Sequence, residues 1–63
     1  MNWIFFNETP PPADKWRMYH VITDRGEVGT SVYSVDTGFC DVTVNGIKQP
    51  VGIPIIQWAY MQE

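Results

Sequence analysis

The sequence predicts an all-β fold: a small twisted antiparallel sheet, a meander of four to six short strands, partly rolled. Three observations carry this expectation. Short runs rich in Val, Ile, Thr and aromatic residues recur along the chain, and these residue types suit a pleated, half-buried surface. Prolines, glycines and turn dipeptides divide those runs roughly every 8–12 residues, the spacing of a β meander. No window carries apolar residues at helical spacing over the length a helix needs.

Trp3-Ile4-Phe5-Phe6 is expected to be a short aromatic strand tied into the sheet. Pro10, Pro11 and Pro12 follow; three prolines in a row lack N–H donors and favour an extended connector, here one crossing an edge or end of the sheet. Trp16 to Thr23 reads as the second strand, with Met18, His20 and Ile22 on one face and Tyr19, Val21 and Thr23 on the other. Asp24-Arg25-Gly26-Glu27 is a turn, with glycine where a positive φ is needed. Val28 to Val35 returns, and Gly29 within it marks a bulge or a close backbone approach. After the turn at Asp36-Thr37-Gly38, simple alternation in Phe39 to Val44 puts Cys40, Val42 and Val44 on one face and Phe39, Asp41 and Thr43 on the other. Asn45-Gly46 is the strongest hairpin signal, a type I′ turn, and Ile47-Lys48-Gln49 is the brief return. The last strand starts at Ile55; Ile55, Ile56 and Trp58 are expected in the core, with Trp58 and Tyr60 on one face and Gln57 and Ala59 on the other.

Sixty-three residues make one domain, 1–63, near the lower limit for folding without a staple. A chain this short buries only about 60% of the surface its unfolded form exposes. Cys40 is the only cysteine, so no disulfide closes within the chain, and one Cys with one His (His20) is too few for a structural zinc site. Aromatic packing is the remaining internal route, supplied by three Trp, three Tyr and three Phe. Self-association is the external one: a lone sheet without a covering helix leaves one face bare, and a homodimer would cover it. Four Lys and Arg stand against seven Asp and Glu. That balance speaks against direct nucleic-acid binding, whose affinity comes largely from cations on phosphates. The apolar start lacks a basic flank and is too short for a signal peptide, and no segment approaches the ~20 apolar residues that span a bilayer. The expectation is a cytoplasmic protein with no membrane partner.

No catalytic, metal or cofactor set is readable. His20 as a general base needs a carboxylate or nucleophile beside it, which sequence spacing does not supply from Asp24 or Asp41; it reads as a structural or surface histidine. Cys40 lacks the cationic surroundings that activate a thiol and reads as a buried core residue. The surplus of amphipathic aromatics is more suggestive, because Trp, Tyr and Arg dominate binding hot spots. Trp16 and Tyr60 are the candidate contact residues, with Arg17 and Arg25 flanking them.

Several short motifs run through the chain: Trp3-Ile4, the prolines 10 to 12, Val21-Ile22-Thr23-Asp24-Arg25-Gly26, Tyr33, and the closing Ile55-Ile56-Gln57-Trp58. Together they resemble a family of short domains of unknown function common in phages and prophages. Its members usually close with Thr-His-Trp-Met-Pro-Leu-Pro, whereas this chain has Ile56-Gln57-Trp58-Ala59-Tyr60, without the His and the terminal prolines. The resemblance implies a small β fold and a phage or prophage origin, and it brings no catalytic residues. With it, the expected function is non-catalytic: an accessory protein in the host cytoplasm that binds and blocks a host defence component such as a CRISPR effector. Two alternatives stand beside it. One is an oligomeric sponge for a nucleotide signal, stacking bases on aromatic rings with Arg17, Arg25 or Lys48 on phosphates. The other is a minor virion or assembly protein.

Overall fold

A computed structural model describes residues 2–12 and 16–61. Six strands form one open antiparallel sheet that does not close into a barrel. They are β1 (Ile4–Phe5), β2 (Arg17–Thr23), β3 (Val28–Ser34), β4 (Gly38–Val44), β5 (Ile47–Lys48) and β6 (Ile55–Tyr60), in the order β1-β6-β2-β3-β4-β5. The expected meander covers β2 to β5. The last strand then crosses back to pair with β2 and receives β1 on its outer side.

The turns follow from their residues. Asn45 and Gly46 both have positive φ (53° and 78°), the requirement of a type I′ hairpin. The β2–β3 turn is organised by Thr23, which is 1% exposed. Its Oγ1 accepts the backbone N–H groups of Arg25 (3.3 Å) and Glu27 (3.4 Å), and its N–H donates to the Glu27 carbonyl at 2.9 Å. Asp24 N–H reaches across to the Pro54 carbonyl at 3.1 Å, so the turn also anchors the entry to β6. The Thr-Asp-x-Gly motif is therefore a turn-building device.

The inner face gathers Tyr19 and Val21 from β2, Tyr33 from β3, Val42 from β4, and Ile55 and Trp58 from β6, with Ile4, Phe6, Phe39 and Ile53 packed against them. From β1 to β4 the sheet advances four strands, about 19 Å at the usual spacing. Yet the Phe6 ring, one residue past β1, lies 5.3 Å from that of Phe39 on β4 and 6.3 Å from that of Tyr33. The sheet is thus rolled about its aromatic residues, as expected. The connector passes across this inner side as well as the sheet end: Trp58 Nε1–H donates to the Thr9 carbonyl at 2.8 Å, and Pro11 is buried.

Two bulges correct the expected faces. On β4, Val32 pairs with Cys40 but Thr30 with Thr43, so one extra residue is accommodated near Asp41, whose φ is +54°. Side chains alternate strictly with residue number, so an inserted residue reverses every later assignment. Phe39, Val42 and Val44 consequently share the inner side. Cys40 turns to the outer face opposite Val32 and is half-buried there, not a core residue. Ser31 Oγ–H closes this bulge by donating to the Cys40 carbonyl at 2.7 Å. On β6, Ile22 pairs with Gln57 but Thr23 with Ile55, leaving Ile56 as the extra residue. That is how Ile55 and Trp58, three apart, both enter the core, and why Ile56 is 41% exposed instead of buried with them.

Gly29 is a close approach, as expected from its place in a strand. A Cβ there would lie 2.2 Å from the Thr43 carbonyl oxygen and 2.9 Å from Val44 Cγ2. Because the first neighbour is backbone, it cannot rotate away. Gly29→Ala is expected to lower stability by about 2 kcal/mol, measured as a fall in the urea midpoint with unchanged slope.

Candidate functional site

The sequence candidates divide between the two ends of β2. Trp16 immediately precedes the strand and is 66% exposed; Arg17 opens it and is exposed. Tyr19 pairs with Tyr60 across β2 and β6, so the end of β6 lies beside the start of β2. Arg17, Met18, Tyr60 and Met61 line one shallow depression of about 160 Å³ at this open end of the sheet. Arg25 is elsewhere: it sits in the β2–β3 turn, past the far end of β2, whose span from Arg17 to Thr23 is about 20 Å. There it borders a cleft of about 240 Å³ with Asp24 and the segment Gln49 to Pro54. The structure therefore brings Arg17 and Tyr60 together, with Trp16 next in the chain, and places Arg25 apart.

Tyr60 is held by packing. Its ring meets Trp58 at 5.0 Å and Tyr19 at 5.8 Å, both edge-on, and Tyr19 meets Trp58 at 5.2 Å in the same manner. Trp58 and Tyr19 are each 1% exposed, whereas Tyr60 is 48% exposed. The three rings form a ladder that begins in the core and ends at the surface. A surface aromatic anchored this way has little rotamer freedom left to lose when something covers it. Met18 is 48% exposed beside it.

A cleft of about 400 Å³ lies between β4 and the loop of residues 48–53; it holds none of Trp16, Arg17, Arg25 and Tyr60, and of the cations considered for phosphate contact it holds Lys48. Its floor is apolar (Phe39, Val42, Ile53), and its mouth carries Asp41 and Lys48. These two pair at 3.1 Å, with both side chains largely exposed, so solvent screens the pair heavily. The missed signal is the β4 bulge, which aims Asp41 toward Lys48 and is invisible to simple alternation.

His20 pairs across the ladder with Thr30 and Ala59, so no carboxylate stands opposite it on either neighbouring strand. Among the described residues, no three of His, Cys, Asp and Glu gather as a metal-holding group. Among them, too, no helix is long and apolar enough to cross a membrane. No family model, curated protein or solved structure matches the chain.

The left-handed φ of Asp41 sets a conformational test of the large cleft. Asp41→Val is expected to cost about 1–2 kcal/mol, since a β-branched side chain resists that region. Asp41→Gly should stay within about 0.5 kcal/mol of the parent, because glycine adopts positive φ without steric penalty. Equilibrium urea unfolding of both variants measures the difference.

Proposed function

We propose that the chain is a phage or prophage accessory protein that acts by non-catalytic binding and inhibits a component of bacterial defence, such as a CRISPR effector. The observation that carries the binding reading is the open end of the sheet, where Arg17, Met18 and Tyr60 lie exposed around one shallow depression and the exposed Trp16 directly precedes Arg17 in the chain. Trp, Tyr and Arg are the side chains that most often supply binding energy at protein interfaces. A shallow aromatic surface beside the Arg17 guanidinium suits a protein partner better than a small molecule, which needs a concave site enclosing most of its area. The defence target itself draws on the resemblance to short phage and prophage domains.

The nucleotide-sponge alternative has less to draw on within one chain. The three cations among the described residues are dispersed: Arg17 at one end of β2, Arg25 beyond the other, and Lys48 engaged with Asp41. A phosphate group is best held by cations that converge.

The proposal is tested in bacteria protected by a CRISPR effector against a targeted phage, with and without expression of the chain. Rescue of plating by the wild-type chain, lost with Trp16→Ala and kept with Arg25→Ala, is the expected result. No rescue across a panel of effectors and other defence systems would refute it. With the purified target, Tyr60→Ala should weaken binding about thirtyfold, equivalent to about 2 kcal/mol. Thermal melts of each variant separate lost contact from lost fold.

A further inference from the structure

Strand β4 is seven residues long, but β5 covers only its end. The β4–β5 ladder joins Thr43 and Val44 to Lys48 and Ile47, and the Gln49 N–H adds one bond, to the Val42 carbonyl at 2.7 Å. Before that point, Phe39 and Cys40 pair with β3 on one side and with no strand on the other, and Asp41 stands at the bulge. Alternate residues of an antiparallel strand turn both backbone groups to the same side. The groups of this stretch that do not face β3 therefore face outward from the sheet edge. A bulge also bends its strand. At the bend, β4 parts from the loop of residues 48–53, and the cleft of about 400 Å³ opens between them over Phe39, Val42 and Ile53.

From this juxtaposition of an open strand edge and an apolar cleft, we propose that Phe39 to Asp41 take up an extended segment of a partner polypeptide. The segment lies in the cleft as a short added strand, continuing the line of β5. Its backbone meets the open groups of β4, and every second side chain drops onto the apolar floor. That is the division of labour in strand addition, where main-chain bonds give affinity and pockets for alternate side chains give selectivity.

The other occupants fit less well. The loop of residues 48–53 walls the cleft on its far side, so a single strand enters but the edge of a folded sheet does not. A second copy has little to insert. Its β1 is two residues long, and the Phe5 carbonyl already accepts the N–H groups of Glu8 (3.2 Å) and Thr9 (3.0 Å). Its β5 is as short, and the Ile47 carbonyl accepts Gln49 Nε2–H at 3.0 Å. A charged small molecule meets Asp41 and Lys48 already paired with each other, and so finds no uncompensated counter-charge at the mouth. A peptide backbone is neutral and supplies donors and acceptors together.

The same features limit the reach of the site. An edge lysine and a bulge are devices that keep long strands from pairing, and both stand at the β5 end of this stretch. Three residues of β4 span about 10 Å. The expected dissociation constant for an isolated peptide is on the order of 100 μM. None of Trp16, Arg17 and Tyr60 lines the cleft, so the proposal does not rest on the binding reading of the open end.

The test uses the intact wild-type chain. A displayed library of random linear peptides is panned against it, and the most enriched peptide is synthesised with blocked termini. Enriched sequences should share apolar residues at every second position. N-methylation of single backbone amides along the peptide should weaken binding about tenfold at alternate positions and leave it nearly unchanged between them. By NMR hydrogen exchange, the cleft-facing amides among Phe39, Cys40 and Asp41 should slow at least about tenfold on saturation. Failure of any linear peptide to enrich would overturn the inference. So would an N-methyl scan without alternation, or protection confined to other residues; protection near Tyr60 alone would do so while leaving the open-end reading in place. The same amides becoming protected without peptide, as the chain is concentrated, would put a second copy on the edge and overturn it as well.

Discussion

The Trp58 indole N–H imposes the constraint on which the rest of the fold rests. Trp58 is 1% exposed, and a buried indole N–H without an acceptor costs on the order of 1–3 kcal/mol. On the inner side of a sheet, the strand carbonyls are already spoken for by the ladder. The acceptor comes instead from the Thr9 carbonyl, 49 positions away in sequence, at 2.8 Å. Satisfying one proton therefore draws the proline-rich connector across the sheet. That places Phe6 against Tyr33 and Phe39, brings β1 onto the outer side of β6, and rolls the sheet. A chain too short to build a second layer covers its aromatic residues with its own N-terminal segment.

The parts of this that are legible in the sequence are those written in local chemistry. Asn45-Gly46, Gly26 and Gly38 mark turns because only certain residues tolerate positive φ, and all of them sit where expected. The alternation of β2 holds along its whole length, with Tyr19, Val21 and Thr23 inward. What escapes is whatever depends on an inserted residue. One extra residue at Asp41 reverses Phe39 against Val42, and one at Ile56 puts Ile55 and Trp58 on the same side. Neither is marked by glycine, the usual sign of a bulge, because aspartate tolerates the left-handed region and Ile56 is accommodated through the β6 register alone.

The candidate site was half legible for the same reason. Trp16, Arg17 and Tyr60 stand out by residue type, and their meeting follows once β6 pairs with β2. Sequence order hides that pairing, because three strands and their turns intervene. Arg25 shares the chemistry but lies past the far end of β2, a separation that only the register reveals. The open end of the sheet presents Tyr60, anchored through its ring contacts with Tyr19 and Trp58. Trp58 links core to surface, since the bond that closes the fold also fixes the ring on which Tyr60 leans.

Hydrogen exchange of the Trp58 indole proton, followed by NMR beside the backbone amide of Val21 at the centre of β2, tests this account most directly. If the Thr9 contact is integral to the fold, the indole proton exchanges only through global unfolding, with the same protection and denaturant dependence as Val21. An indole proton that exchanges freely while Val21 stays protected would show that the sheet holds without the connector, and would contradict the account.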